Sequence, residues 1–153
     1  MKKLVAIAVL TALTSTSSYA DSLLNKSSAN QFLQDFYKAV KKHDYKKLDS
    51  MVANNAQIKW HLVKMEQTFS LSKADYLQQI KASWHFASQE NFDIKDVNYT
   101  TTQEGLSGTL SLKVIESKEI LGEKLSQEQT MEMGLVVVDD MIKLSELKSK
   151  TTF

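Results

Sequence analysis

The stretch Ala29–Leu62, ANQFLQDFYKAVKKHDYKKLDSMVANNAQIKWHL, carries helix, break, helix, turn and strand signals in unbroken succession, and it decides the fold class. Phe32, Leu33, Phe36, Tyr37 and Val40 recur at helical spacing and form a wide apolar stripe. Gln34, Asp35, Lys38, Lys41 and Lys42 fall on the polar side. Ser28 with Gln31 three residues on has the form of a capping box, which predicts a helix beginning at Ala29. His43-Asp44 ends it, and Tyr45, Leu48 and Val52 start a second, short apolar face. After Asn54-Asn55 the alternation of Ile58, Trp60 and Leu62 predicts a strand. Two helices laid on something apolar, followed at once by strands, imply an α+β domain.

Working outward toward the N-terminus, residues 1–20 read as a signal peptide. Lys2 and Lys3 are its basic end, Leu4 to Leu13 its apolar run, and Ser18-Tyr19-Ala20 its small-residue cleavage site, so the exported chain is expected to begin at Asp21. The apolar run is about ten residues, half of what a spanning helix needs, and no later segment is as apolar, so no membrane attachment is expected after cleavage. There is no cysteine, which excludes a lipid anchor at a thiol, disulfides and thiolate metal sites, and the expected location is the periplasm or the medium of a bacterium. About 130 residues remain, one domain with its own core. Residues 21–28 are read as a lead-in and residues 29–153 as the domain. Every basic residue is lysine, and loss of Lys2 and Lys3 leaves seventeen lysines against eighteen acidic side chains, scattered along the chain. That balance disfavours a nucleic-acid surface, and the lack of arginine removes the usual fork for carboxylate or phosphate.

Toward the C-terminus, Thr68 to Leu71 can return as a second strand. Ser72 with Asp75 is a second capping-box-like start, and Tyr76, Leu77, Ile80, Trp84 and Ala87 share one face of a third helix ending near Gln89. After Asn91 the pattern is all strand. Phe92 and Ile94 alternate in one phase and Val97, Tyr99 and Thr101 in the other, so a bulge is expected near Lys95-Asp96. Leu106, Leu110, Leu112 and Val114 line the next strand, Gly122 sits in a turn, Leu125 to Val138 is the longest strand candidate, and Asp139-Asp140 turns into Met141 to Leu147.

FYKAVKKHDYKKLDSMVANNAQIKW resembles the pattern of the SnoaL-like and ketosteroid-isomerase-like families of the nuclear transport factor 2 superfamily: an aromatic helix, a Gly-Asp break, a Leu-rich short helix and an Ala-Asp-Asp-Ala turn into a strand. The resemblance implies a cone-shaped α+β barrel, three N-terminal helices packed on a strongly curved, mostly antiparallel sheet, with a pocket at the open end. It also implies where chemistry would sit. Ketosteroid isomerase uses an Asp base with an oxyanion hole of a Tyr and a neutral Asp. Counted from Asp44, its tyrosine position falls on Phe36 and its base position on Trp60, neither of which can act in that way, and Tyr37 lies about 100° round the helix.

The expected pocket is therefore apolar, with Phe36, Val40, Ile58, Trp60, Leu62, Trp84 and Tyr99 as its lining and no general base within reach. Glu146, in phase with Ile142 and Leu144, is the one carboxylate expected to point inward. Glu116, Glu119, Glu123, Glu128 and Glu132 read as the solvent side of strands. His43, His61 and His85 lack metal-pair spacing, no metal or cofactor is implied, and His43 in the break position suits a left-handed helix end. The functional expectation is an exported, non-catalytic domain that takes a small hydrophobic molecule. The alternatives are a homodimeric interaction module of the envelope, or an acid–base lyase or isomerase. Gly134 to Val138 is apolar in both phases, which predicts a homodimer through the outer sheet face at Val136 and Val138.

Overall fold

A computed structural model of the chain describes residues 23–152. The leader assigned to residues 1–20 lies outside the described residues. Helix α1 spans Lys26–Lys41, α2 Tyr45–Met51 and α3 Lys73–Phe86. The strands are β1 Val52–Leu62, β2 Gln67–Leu71, β3 Ala87–Gln103, β4 Ser107–Ile120, β5 Glu123–Val138 and β6 Met141–Thr152. They form one open, mixed sheet in the order β2-β1-β6-β5-β4-β3, in which only the β1–β6 pair is parallel. Three helices packed on one face of a curved, mostly antiparallel sheet is the expected class, although the sheet does not close into a barrel.

Helix α1 begins three residues earlier than its apolar stripe suggests. Its cap is Asn25, whose side chain accepts from the Ser28 amide while the Ser28 hydroxyl accepts from the Asn25 amide. Ser28 is thus the third residue of the helix. The extra turn also carries Leu24 into the core at 2% exposure, so the lead-in from Leu23 onward packs on the domain. At the other end His43 adopts φ +57, the left-handed conformation expected of the break, and Asp44 caps α2 through the Lys47 amide. Strand β1 starts directly at Val52, because Val52, Ala53 and Ala56 are buried against the helices. Lys73, at the start of α3, reaches the Asp49 carbonyl at 2.9 Å and Asn54 Oδ1 at 3.1 Å, tying α3 to α2 and β1.

Bulges shape the sheet. Asp96 (φ +53) is the extra residue between the Lys95–Lys113 and Asn98–Ser111 pairs, where the phase change in the sequence puts it. Gln89 (φ +52) is a second, between Ser88–Glu119 and Asn91–Ser117. A third places Ser145 as an extra residue of β6, since Leu144 pairs with Leu135 and Glu146 with Gly134. With these bends β3 runs for 17 residues and exceeds β5, at 16, as the longest strand. The core lies between the sheet's concave face and α1 and α3, built on Phe32, Phe36, Leu48, Leu77, Leu110, Met133, Leu135 and Leu144.

Candidate functional site

The inward-facing residues of the sheet fall into rows that change character along the strands. One row joins Tyr99, Leu110, Met133, Leu147, Ile58 and Leu71, and the next joins Leu112, Met131, Ser149 and Trp60. Two residues on, Val114 pairs with Gln129 and Gln129 with Thr151; two further, Phe92 pairs with Glu116 and Glu116 with Gln127. Period-two alternation thus extends the apolar phase of each strand into a polar end, Leu110-Leu112-Val114 into Glu116 and Lys118, and Met133-Met131 into Gln129 and Gln127. In β3 the bulge at Gln89 brings Glu90 into the phase of Phe92 and Ile94.

A cavity of about 240 Å³ lies between these rows and the helices. Phe36, Tyr37 and Val40 of α1 and Tyr76, Gln79, Ile80 and Ser83 of α3 cover it, and Ile58, Trp60, Leu71, Phe92, Val114, Met131 and Leu147 form its apolar sheet side. Its polar end holds Glu90, Glu116, Lys118, Gln127 and Gln129. A wider, more open groove lies beside the start of α1, but Asn25 and Ser28 there are already engaged in the helix cap.

Glu116 is 7% exposed. Lys118 Nζ donates to its Oε1 at 2.9 Å, Gln127 Nε2 donates to Oε2, and Gln129 Nε2 lies 3.4 Å from the same oxygen. A buried carboxylate so supplied with donors is the acceptor in any pairing with a second carboxyl. That second carboxyl is Glu90. Burial, a hydrogen bond to Glu116 that requires a proton, and repulsion from the Glu116 charge push it up to about 7, against the opposing pull of Lys118. Glu90 Oε2 is buried without a hydrogen-bond partner. Glu90 thus lines the cavity as a carboxyl whose one close polar neighbour is Glu116. Around them, Tyr37 donates to Met131 Sδ at 3.2 Å, and burial holds the Tyr37 and Tyr76 phenols well above the ordinary tyrosine range, Tyr37 also feeling Tyr76 and Glu116. Both stay neutral at physiological pH.

Of the residues expected to line a pocket, Phe36, Val40, Ile58 and Trp60 meet in this cavity, with the Trp60 indole N–H donating to Thr151 Oγ1 at 2.7 Å. The other four do not line it. Trp84 stacks on His43 instead, ring centroids 4.7 Å apart at 18°. Tyr99, past the Asp96 bulge, lies across Gly108, and Leu62 sits at the far end of β1. Glu146 is corrected most fully, because the extra residue Ser145 reverses the phase of β6 after Leu144. Leu147, Ser149 and Thr151 then face inward while Glu146 is exposed beside Lys148. The expectation of a lining without a carboxylate is likewise overturned by Glu116 and Glu90, and Tyr37 reaches the cavity beside Phe36 without any rotation of α1. Glu116 was legible as the next inward step after Val114; Glu90 depends on a bulge with no glycine to mark it. His61 is half-buried and bonds Thr68 Oγ1, and among the described residues no cluster of His, Cys, Asp or Glu is arranged to hold a metal ion.

No protein-family model matches the chain, and no curated protein matches it. Solved structures do. An NTF2-like protein from Cytophaga hutchinsonii superposes with a TM-score of 0.67 at 10% identity, covering 84% of this chain and 100% of that one. An NTF2-like protein from Rhodospirillum rubrum, described as of unknown function in nutrient uptake, gives 0.66 at 12%, covering 81% and 98%. A type 2 hexachlorocyclohexane dehydrochlorinase gives 0.64 at 10%, covering 82% and 86%. At such identities the likeness is one of architecture, and the chain has the nuclear transport factor 2-like fold.

Proposed function

We propose that this protein binds a small, largely apolar molecule in its cone and moves a proton on it, as a lyase or isomerase would, with Glu90 as the acid–base group. The observation that carries the reading is the pair of carboxyls lining the polar end of an otherwise apolar cavity, of which Glu90, with Oε2 buried and unpartnered, is pushed up to about 7 by burial and by Glu116. Glu116, held by Lys118, Gln127 and Gln129, positions Glu90 and sets its proton affinity. The neutral phenols of Tyr37 and Tyr76 supply polarity without charge. A dehydrochlorinase, whose name describes an elimination, shares the architecture, which makes such chemistry sterically compatible with it.

A general carbon acid tests this without knowledge of the natural substrate. Nitrobenzisoxazole loses its carbon-bound ring proton to a base; the C–H electron pair becomes the nitrile bond, the N–O bond breaks, and the phenolate leaves as a coloured product. The expected rate rises with pH through about 7 and falls at least tenfold in Glu90→Gln, since a positioned base contributes on the order of a hundredfold or more. Equal rates in the variant and the native protein refute the acid–base assignment. A purely carrying function is supported by the apolar inner rows around Ile58, Trp60 and Leu147. It predicts quenching of Trp60 by an apolar ligand in both proteins, with turnover in neither.

The same reading has the protein act outside the cytoplasm as a pair of copies. Export rests on the leader sequence, and an N-terminus other than Asp21 on the protein recovered from the periplasm refutes cleavage there. Pairing rests on Val138, exposed on the outer strand end, and on Val136 beside it. Val136→Lys is expected to halve the mass in light scattering, and an unchanged mass removes that interface.

A further inference from the structure

Ser149 is 7% exposed, its Oγ is buried without a hydrogen-bond partner, and its side chain lines the cavity. Burying a hydroxyl without a partner costs free energy that a serine in a strand does not need to bear, since alanine fits the same pleat. It is also the one inward polar position in its row, set among Leu112, Met131 and Trp60. Its neighbour in the same phase, Thr151, is by contrast satisfied by the Trp60 indole. The unpartnered group thus stands within the apolar half of the cavity, away from the carboxyl pair. Glu116 lies four residues along β4 from Leu112, the residue in Ser149's row, which is about 13 Å of strand.

We propose that Ser149 Oγ is the inner anchor of the ligand, so that the cavity selects a molecule with an apolar body and a hydroxyl or carbonyl oxygen at each end, one on Ser149 and one on Glu90. This inference rests on the cavity being the ligand site. The volume sets the size: about 240 Å³ exceeds the roughly 150 Å³ cavity that takes benzene, and the roughly 13 Å of strand between the rows of Ser149 and Glu116 calls for an elongated body such as two linked rings. A serine hydroxyl both donates and accepts, so it serves either oxygen type, whereas a bare hydrocarbon leaves it unpaired.

The test uses biphenyl and its para-hydroxy and para,para′-dihydroxy derivatives, titrated into the native chain, Ser149→Ala and Ser149→Thr, with binding followed by the Trp60 indole resonance in NMR. In the native protein affinity is expected to rise from biphenyl to the monohydroxy to the dihydroxy compound. Ser149→Ala is expected to weaken the dihydroxy compound by roughly 3–10-fold, the range of one net hydrogen bond, and to leave biphenyl within about twofold. Ser149→Thr, which retains the hydroxyl, should keep the native order. An equal loss for all three probes in Ser149→Ala marks a packing residue and overturns the anchor while the ligand site stands. An unchanged preference for the hydroxylated probes overturns it too, because the oxygen then docks elsewhere. Failure of every probe to bind the native protein overturns the cavity reading itself and the anchor with it.

Discussion

Replacing Glu90 by glutamine removes a proton-binding group while keeping a donor that can reach Glu116, so it mimics the protonated carboxyl at every pH. In the folded protein Glu90 holds its proton up to about 7, against 4.5 for an ordinary glutamate. Between those values the folded state binds more protons than the unfolded one, so the group's contribution to stability is present in full below about 4.5 and is lost as pH rises through about 7. At 1.36 kcal/mol for each factor of ten in proton affinity the ceiling is about 3.4 kcal/mol. Glu90 is only partly shielded from water, which cuts that to about 1.5 kcal/mol. Urea unfolding of native protein and Glu90→Gln at about pH 5 and about pH 8 checks this, because titrating groups away from the Glu90–Glu116 pair are common to the two and cancel in the difference. Glu90→Gln is expected to gain about 1.5 kcal/mol on the native protein between the two pH values. A difference that does not change with pH refutes the carboxyl pair, and with it the proton that the proposed chemistry uses.

A Cβ added at Gly108 would collide with the hydroxyl and ring of Tyr99, so Gly108→Ala should cost roughly 1–3 kcal/mol in urea denaturation, as overpacking does. Asn25→Ala removes the cap of α1 and is expected to cost about 1 kcal/mol by the same measurement. His43 combines a left-handed backbone with a stack on Trp84. His43→Gly should therefore stay within about 1 kcal/mol of the native protein, relieved strain offsetting the lost stack, whereas His43→Ala keeps the strain, loses the stack and should cost about 1 kcal/mol. Trp84 fluorescence should change in both.

The helices were legible because Phe32, Phe36 and Val40, or Tyr76, Ile80 and Trp84, advertise one face each, although the third ends at Phe86 and not near Gln89, Ala87 already opening β3. The strands were legible in position but less so in phase. A strand's side chains alternate strictly only while no residue is inserted, and Ser145 and Gln89 are insertions that neither glycine nor proline announces. One such residue turned Glu146 out; another turned Glu90 in. Glu116 needed no bulge. It continues Leu110, Leu112 and Val114 at even spacing, and its charge argued for solvent only because Lys118, Gln127 and Gln129, which make its burial tolerable, come from the same and the neighbouring strand and are not visible as a local motif.

The parallel pairing of β1 with β6 governs the order in which the molecule can assemble. Ile58 lies against Leu147, roughly ninety residues later, so this contact closes the longest loop in the sheet and meets the largest entropic barrier. Until β6 arrives, the β1–β2 hairpin and the β3–β4–β5 meander are separate pieces, each with an unpaired edge along what becomes the middle of the sheet. A ribosome-bound chain can therefore form the meander early but cannot seat the α1–α2 hairpin on a finished surface until β6 has emerged. Folding is expected to be a late, all-at-once docking, and partially made chains should be the aggregation-prone species.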